Sequence, residues 1–234
     1  MLILIINPGA TSTKIAVFEN ENCLFQKNIC HTIEELSPYS KIYEQFSFRK
    51  DVLLHVLENE TFFDLKRLNC IVARGGILKS VKAGVYEVNE TMLDDLRSGK
   101  YGEHASNLGA LMAYEIVAEC KSLGNQDIKA YIADPVVVDE LEDIARISGH
   151  PLFPRRSVFH ALNQKAVARR YAREMNTSYD KLQLIIAHLG GGISVGAHSY
   201  GKVIDVNNGL NGDGPFSPER SGGLPAFELA NACF

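Results

Sequence analysis

The stretch at residues 2–18, LILIINPGATSTKIAVF, sets two apolar runs on either side of a loop that contains proline, glycine and three hydroxyl side chains. Apolar runs that are rich in β-branched residues and separated by such turn formers are typical of paired β-strands. A third, weaker run at residues 24–29 follows the polar turn at residues 19–22. The N-terminus therefore predicts a three-stranded meander with an elaborated first turn.

The same order of elements returns near the C-terminus. The apolar run at residues 183–189 is followed by three glycines at 190–192, a second run at 193–198 and, after a tight turn, a third at 202–206. Both loops begin with a polar residue, have glycine in the middle and end with a hydroxyl residue. Two unrelated hairpins would also give this order, but the matching third strand favours an internal duplication.

Between these segments, strands alternate with helices. Asn89 and Gly99 are residue types that begin and end a helix. The patterns predict strands over residues 69–73 and 128–133, and helices over residues 39–60, 89–99, 104–123 and 157–175. This alternation is typical of an α/β fold. With the repeat, it predicts an N-terminal domain at residues 1–182 and the start of a second domain at residues 183–234.

Composition excludes several classes of protein. The 234 residues are 46% apolar and 22% charged, with a formal charge of −4. This balance excludes a disordered chain and offers no basic surface for nucleic acid or anionic lipid. No run approaches the ~20 apolar residues of a membrane-spanning helix, and the N-terminus lacks a signal-peptide pattern. Five scattered cysteines without metal-binding spacing predict reduced, buried thiols. We therefore expect a cytoplasmic protein with neither nucleic-acid nor membrane partners.

The two glycine-containing loops are candidates for binding anions. Such turns present backbone N–H and hydroxyl donors on one side, and donors fixed in advance bind phosphate well. The P-loop pattern and the dinucleotide-binding glycine pattern are both absent. Two facing nests on duplicated domains are the phosphate site that we expect. The donors would be Gly9, Thr11, Ser12, Thr13 and Lys14 in the first loop, and Gly190, Gly191, Gly192 and Ser194 in the second.

Single polar residues at strand ends and in turns are further candidates, since ligands bind there in α/β folds. Arg74 lies at the end of one predicted strand, where it is either a solvated charge at the rim or a ligand for an anion. Asp134 lies at the end of another, where it is either a turn former or a ligand for a metal. His104 begins a helix, and His160 lies in an amphipathic helix, where histidine is commonly a satisfied structural residue. Arg220, flanked by small residues, suggests an anion clamp or a surface connection.

Five motifs occur along the chain in an order that resembles the acetate kinase family, and within it the butyrate kinases. They are NPGATSTK at residues 7–14, GEHASN at 102–107, DPVVVDE at 134–140, HLGGGIS at 188–194 and PFSPERSG at 215–222. The wider superfamily includes sugar kinases, actin and heat-shock chaperones. The resemblance implies a duplicated actin-like, ribonuclease H-like α/β fold with nucleotide in the cleft between the domains.

The resemblance also implies an activity. This is the reversible in-line transfer of a phosphoryl group from ATP to a short-chain carboxylate, butyrate, which gives butyryl phosphate and ADP with the help of Mg²⁺. It further implies a homo-oligomer in the full-length protein. The alternatives are a kinase for acetate, propionate or isobutyrate, and a catalytically inactive truncated fragment.

The resemblance assigns roles residue by residue. His160 resembles the histidine that bonds the transferred phosphoryl group, Arg220 the arginine that stabilises its equatorial oxygens, and Asp134 the aspartate associated with magnesium. His104 is similar to a second active-site histidine, and Arg74 is a candidate for binding the carboxylate. The ATP or ADP phosphates would meet Asn7, Thr11, Ser12 and Lys14 of the first loop, and His188, Gly190, Gly191, Gly192 and Ser194 of the second.

The chain departs from the family pattern in three respects. Arg74 precedes Gly75 and Gly76, where acetate kinases have a histidine, and Ala10 stands where serine is usual. The family's adenosine-binding glycine motif and a late metal-associated glutamate lie much further along, whereas this chain ends fourteen residues after Arg220. We therefore expect a truncated second domain and negligible kinase activity in this polypeptide alone.

Overall fold

The structure, a computed structural model, describes residues 1–59, 64–211 and 213–233. It consists of two compact units: Met1–Lys79 with Gly84–Pro135, and Ser80–Ala83 with Val136–Phe234. Residues 136–182 therefore belong to the same compact unit as the second meander, while the domain boundary at residues 182 and 183 stays a prediction. None of the described helices is long and apolar enough to cross a bilayer.

The first unit is built on one six-stranded sheet with the order β3-β2-β1-β4-β6-β5. Its strands are β1 (Leu2–Pro8), β2 (Ser12–Glu19), β3 (Asn22–Cys30), β4 (Cys70–Arg74), β5 (Val85–Glu87) and β6 (Lys129–Ala133). The first three form the predicted antiparallel meander, and β1, β4 and β6 run parallel. The sequence patterns missed β5, a three-residue edge strand that pairs only with β6.

Helices cover this sheet. The most buried of them, at Asn107–Ser122, lies against the parallel strands β1, β4 and β6. The helices are α1 (Ile33–Leu36), α2 (Phe46–Glu58), α3 (Glu90–Ser98) and α4 (Asn107–Ser122). Asn89 caps α3 by accepting the Met92 N–H, and Gly99 ends it with φ of 63°. Glycine adopts this left-handed backbone at no steric cost, which confirms the predicted stop.

The second unit contains a three-stranded antiparallel sheet of order β7-β8-β9. Its elements are the helices α5 (Ala161–Glu174) and α6 (Ala226–Cys233) and the strands β7 (Gln183–Leu189), β8 (Ile193–Ser199) and β9 (Lys202–Val206). Ala168 and Ala172 of α5 pack with Tyr179 and with the apolar side chains of Leu184 and Ile186 on β7. This second meander is confirmed with the predicted boundaries of its first strand.

The two meanders match in register as well as in order. The last pair but one of each first hairpin is Asn7 with Lys14 in one unit and His188 with Ser194 in the other. Each second strand also carries a register shift at the same place, immediately before its last two residues. The shift follows Val17 in β2 and Ala197 in β8. Because the residues predicted to contact phosphate occupy equivalent pairs, the register supports the internal duplication.

Several local predictions were wrong. The predicted helix at residues 39–60 divides into a short 3-10 turn, Ile42–Gln45, and α2, and residue 60 lies outside the described residues. The other two long helices begin three or four residues later than predicted, so His104 lies in the turn before α4 and His160 is the N-cap of α5. All five cysteines are free thiols, but Cys23, Cys30 and Cys233 are exposed and only Cys120 is buried. Burial raises the pKa of the Cys120 thiol to about 11.

Close packing of α4 on the strand ends gives a test of this fold. A Cβ at Gly109 would lie 2.6 Å from the Arg74 carbonyl oxygen and 3.4 Å from Pro8 Cδ. Helix propensity alone predicts that Gly109→Ala stabilises the protein by about 1 kcal/mol. We expect the opposite, a loss of roughly 1–3 kcal/mol from overpacking, measured by urea unfolding. Gly149→Ala is the control, because a Cβ there meets nothing within 4 Å. Stabilisation by Gly109→Ala would contradict the packing described.

Candidate active site

The first candidate site lies where β1, β4 and β6 end. Ile6 pairs with Ala73, and Arg74 pairs with Ala133. Asn7, Arg74 and Asp134 therefore lie at the carboxyl ends of three neighbouring parallel strands, which are about 4.8 Å apart. The structure brings together three residues that the sequence analysis could place only at separate strand ends.

Five polar side chains predicted as ligand contacts make no hydrogen bond or ion pair with the described residues of the first unit. These side chains are Asn7, Thr11, Ser12, Lys14 and Arg74. Asn7 and Lys14 face each other across β1 and β2, and side chains directly opposite in an antiparallel pair share one face of the sheet. Thr11 and Ser12 belong to the adjoining loop. Donors without internal partners at one sheet edge are suited to binding an anion.

One side of the predicted first nest is used internally instead. The Gly9 N–H donates to the Ser12 carbonyl oxygen over 2.7 Å, so it closes the loop. Thr13 is fully buried, and its hydroxyl lies 2.9 Å from His31 Nε2. Burial, and then the nearby charge of Arg49, lowers the pKa of His31. The Thr13 hydroxyl therefore has a structural role here, and phosphate binding by the predicted nest stays a prediction.

The loop rests on a buried arginine that the sequence analysis did not identify. Arg49 of α2 is fully buried, and burial lowers the pKa of its guanidinium. Its Nη1 donates to the Gly9 carbonyl over 2.8 Å, and its Nη2 donates to the Ala10 carbonyl over 2.7 Å. Gln45 Oε1 accepts from both Nε and Nη2 at 3.0 and 2.8 Å. Every acceptor is uncharged, so the positive charge of Arg49 remains beneath the loop without a neutralising carboxylate among the described residues of this unit.

Arg74 is followed by two glycines for a steric reason. A Cβ at Gly75 would lie 2.5 Å from Pro135 Cβ, and one at Gly76 would lie 2.6 Å from Asn107 Cα. Burial lowers the pKa of the Arg74 guanidinium, although arginine remains protonated near neutral pH. After β4 the chain thus passes close to Pro135 and Asn107. Arg74, immediately before this segment, is a half-buried cation.

Asp134 is held in an unusual backbone conformation. Its φ is 35°, in the left-handed region that costs most residues about 1 kcal/mol. Two hydrogen bonds with Gly84 hold it there: the Gly84 N–H donates to Asp134 Oδ1 over 2.8 Å, and the Asp134 N–H donates to the Gly84 carbonyl over 2.9 Å. The side chain is buried at the sheet edge. A strained, oriented carboxylate of this kind is a candidate ligand for a cation.

His104 lies in the turn before α4, within the first unit. Its Nδ1 accepts the Ser106 N–H over 3.2 Å and lies 2.8 Å from the Ser106 hydroxyl. Because a backbone N–H can only donate, Nδ1 is an acceptor and the proton of the neutral ring is on Nε2. His104 can therefore act as a hydrogen-bond donor through Nε2.

The second candidate site is the triple-glycine loop with Arg220 packed against it. Ser217 Oγ and the Glu219 N–H both donate to the Gly191 carbonyl, over 2.6 and 3.1 Å. A Cβ at Gly191 would lie 2.4 Å from Glu219 Oε1, and one at Gly192 would lie 2.6 Å from Arg220 Nη1. A larger residue at either position would displace the side-chain end of Glu219 or Arg220, because the turn that carries Arg220 lies directly on the loop. The structure thus brings the predicted second loop and the predicted clamp together.

Two histidines stack beside this loop. The rings of His160 and His188 are nearly parallel, with centroids 3.6 Å apart. Ser194 Oγ lies 2.8 Å from His160 Nδ1 and also accepts the His160 backbone N–H over 3.3 Å. The Asn163 amide lies 2.8 Å from His188 Nδ1. A stacked pair at this distance disfavours two simultaneous positive charges.

Behind Ser194 lies a buried polar network that the sequence analysis also missed. Gln164 of α5 donates from Nε2 to the Ser194 carbonyl and hydroxyl over 3.0 and 2.9 Å. Gln164 Oε1 lies 2.9 Å from His198 Nε2, and His198 Nδ1 lies 2.6 Å from the Tyr179 hydroxyl. A Cβ at position 196 would lie 2.4 Å from Gln164 Oε1, which explains the glycine there.

A buried ion pair flanks this network. Lys165 Nζ lies 2.7 Å from Glu140 Oε2 and 5.6 Å above the Tyr179 ring. Burial, and then the charge of Lys165, lowers the pKa of His198 to about 4, while Glu140 opposes the shift. His198 is therefore neutral at physiological pH.

Sequence comparison gives the chemistry that such sites serve in related proteins. Residues 149–224, which include His160, the triple glycine and Arg220, match the Acetokinase family. Over 232 residues, the chain is 56% identical to butyrate kinase 2 and 53% identical to butyrate kinase 1, both of Clostridium acetobutylicum. The chain is a homologue of the butyrate kinases. Each match covers 99% of this chain, which spans 63% of the length of these relatives.

Solved structures confirm the predicted fold. The acetate kinase of Porphyromonas gingivalis superimposes with a TM-score of 0.71 at 17% identity, and a propionate kinase of Francisella tularensis with a TM-score of 0.64 at 18% identity. Each alignment covers 98% of this chain and 63% of the other. At such low identity the likeness concerns the fold: one complete α/β domain of the duplicated fold and part of the second.

The network around Arg49 predicts a large effect on stability. Replacing Arg49 with Met leaves the Gly9 and Ala10 carbonyls without their donors, and we expect a loss of at least about 2 kcal/mol in the free energy of unfolding. Arg49→Lys retains the charge but not the planar fork, and we expect an intermediate loss. The control is Arg170→Met, since Arg170 is exposed and pairs at the surface with Glu174 alone among the described residues. Chemical unfolding that gives equal stability for Arg49→Met and Arg170→Met would contradict this description.

The lowered pKa of His198 predicts a stability that depends on pH. In the unfolded chain the His198 ring has a pKa near 6.5, whereas in the folded protein its pKa is about 4. Between these two pH values the unfolded state therefore binds a proton that the folded state does not. The contribution of His198 to stability is therefore complete above pH 6.5 and is lost as the pH falls from 6.5 to 4. Between pH 7 and pH 5 this amounts to about 2 kcal/mol. The measurement is urea unfolding of wild type and His198→Gln at both pH values. Equal pH dependence in the two proteins would refute the assignment.

Proposed function

We propose that the complete protein catalyses reversible phosphoryl transfer between ATP and butyrate, forming butyryl phosphate and ADP. The observation that carries this proposal is the pair of equivalent hairpins, each of which holds polar side chains at the same register position beside a glycine-containing loop. The similarity to butyrate kinases over 99% of the chain supports the choice of butyrate. Transfer in the cleft between the two domains, which the family resemblance implies, is part of the same proposal.

Phosphoryl transfer needs positioned charge more than covalent chemistry. The carboxylate acceptor is ionised at neutral pH and attacks without a general base. Arg74, a cation without a carboxylate partner among the described residues of its unit, binds the carboxylate of the acid. Arg220 stabilises charge on the equatorial oxygens, and His160 donates a hydrogen bond to the transferred group.

The remaining predicted residues bind nucleotide and metal. Asn7, Lys14 and the loop hydroxyls of the first unit, with the triple-glycine loop of the second, contact phosphate oxygens. No group of three or more histidine, cysteine or carboxylate side chains among the described residues could hold a metal by itself. This fits Mg²⁺, which is bound through one or two carboxylates and the substrate phosphates. Asp134 would supply that carboxylate, and the ion would neutralise charge on the phosphates.

An acid panel tests the proposal. The protein expressed from the complete coding sequence is incubated with ATP, Mg²⁺ and one of acetate, propionate, butyrate, isobutyrate or valerate, and the acyl phosphate is trapped with hydroxylamine. We expect the highest kcat/KM with butyrate. A higher value with another acid would replace butyrate as substrate, and no hydroxamate with any acid would overturn the proposed activity.

Two variants separate transfer from binding. Removing a donor that acts on developing charge costs on the order of 100-fold or more in kcat, so Arg220→Ala and His160→Ala should lower kcat strongly and change the KM for butyrate little. Arg170→Ala, on the exposed face of α5, is the matched control and should retain wild-type kinetics. Unchanged kcat in Arg220→Ala or in His160→Ala would remove that residue from the mechanism.

A further inference from the structure

The hydrogen bonds behind His160 form a continuous buried chain. They run from Tyr179 through His198, Gln164 and Ser194 to the ring of His160, with heavy-atom distances of 2.6–3.0 Å along the chain. Gln164 and Ser194 are fully buried, and His198 is nearly so. Buried polar groups cost stability unless they are all satisfied, so the donor and acceptor roles along such a chain are restricted.

One backbone group fixes the direction of the chain. The Ser194 carbonyl can only accept, so the Gln164 atom 3.0 Å away must be the amide nitrogen. The amide oxygen of Gln164 therefore faces His198 Nε2 and requires a proton there. His198 is neutral, so its Nδ1 has no proton and accepts from the Tyr179 hydroxyl. The donor and acceptor roles of these groups follow from the direction of a single carbonyl and from the neutral state of the buried His198 ring.

The same reasoning reaches His160 through the Ser194 hydroxyl. Its oxygen has two lone pairs, and these accept the His160 backbone N–H and the second N–H of the Gln164 amide. The hydroxyl proton remains for its third neighbour, His160 Nδ1, at 2.8 Å. An Nδ1 that accepts leaves the proton of the neutral ring on Nε2.

We propose that Ser194, Gln164, His198 and Tyr179 form a positioning relay that holds His160 in its Nε2–H tautomer, so that the ring is a hydrogen-bond donor at Nε2. The relay explains why α5 carries a glutamine at a fully buried position and why β8 has glycine opposite it. Its mechanistic value rests on the proposed function, because a donor at Nε2 suits a negatively charged phosphoryl group. The tautomer itself is a property of the chain and can be measured without turnover.

The test is nitrogen-15 NMR of the imidazole rings in this 234-residue chain at pH 7.5, where long-range couplings identify which ring nitrogen carries the proton. His160→Gln identifies the His160 signals by their loss. We expect Nε2–H for His160 in the wild type. Ser194→Ala removes the donor to Nδ1 and should lower the ratio of Nε2–H to Nδ1–H about fivefold, whereas Ser194→Thr keeps the hydroxyl and should restore it.

A second variant tests the middle of the relay. Gln164→Met has a similar size but cannot donate to Ser194, so the hydroxyl is no longer directed to His160 and the Nε2–H fraction should again fall. Asn163→Ala is the matched control on the same helix, because Asn163 contacts His188 and lies outside the relay. Circular dichroism checks that each variant is folded. If Gln164→Met does not fold, the comparison of Ser194→Ala, Ser194→Thr and the wild type decides the question.

The outcomes separate the relay from the proposed activity. A predominant Nδ1–H tautomer in the wild type, or a wild-type ratio in folded Ser194→Ala, would overturn the relay whatever the enzyme does. An Nε2–H ring that responds to Ser194→Ala, in a protein that phosphorylates no acid, would support the relay and refute the kinase activity. In an active enzyme, Gln164→Met should lower kcat about tenfold with less effect on the KM for butyrate.

Discussion

In each unit, a buried side chain from a helix donates hydrogen bonds to the backbone of a hairpin, and the candidate sites depend on these bonds. Arg49 of α2 holds the carbonyls of Gly9 and Ala10, and Gln164 of α5 holds the carbonyl of Ser194. A hairpin end is normally mobile, because its backbone groups are satisfied by water. Replacing water with a buried donor fixes the loop, and it fixes the side chains that the loop presents. Loops held in this way can bind an anion without first paying the entropy of ordering themselves.

Glycine makes this arrangement possible at several points. Gly75 and Gly76 allow the strand that carries Arg74 to pass Pro135 and the start of α4, and Gly191 and Gly192 allow the turn that carries Arg220 to lie on the second loop. A Cβ at any of these positions would come within 2.6 Å of a neighbouring heavy atom. These glycines therefore serve close approach between segments, which is a different requirement from the left-handed backbone that Gly99 supplies at the end of α3.

Charge is distributed in a way that suits a polyanionic substrate. Arg49 is fully buried and Arg74 is half-buried, and no described carboxylate of their unit forms an ion pair with either of them. Lys165, by contrast, forms a buried ion pair with Glu140 inside its own unit. Buried cations without partners are costly in the absence of a ligand, and an anion that approaches them recovers part of that cost.

The sequence by itself determined the two meanders, the parallel strands between them and most of the residues at the candidate sites. Those features depend on neighbours along the chain: apolar alternation, turn formers and helix caps such as Asn89 and Gly99. The motif order also indicated the similarity to butyrate kinases, whereas the packing of the Arg220 turn against the loop at residues 188–194 is seen only in the structure. The edge strand β5 escaped because three residues that pair with a single neighbour leave no periodic signal.

Only the tertiary structure decided which polar residues are structural and which face outward. Thr13 and Ser12 are neighbours in one hydroxyl-rich segment, yet the Thr13 hydroxyl is buried against His31, whereas the Ser12 hydroxyl bonds none of the described residues. Arg49, Gln164 and His198 resemble ordinary helix or strand residues in the sequence. Arg49 and Gln164 donate to backbone carbonyls 30 to 40 residues away, and His198 bonds side chains 19 and 34 residues away. Such roles arise from contacts between segments distant in the chain, and local patterns of charge and hydropathy carry no record of them.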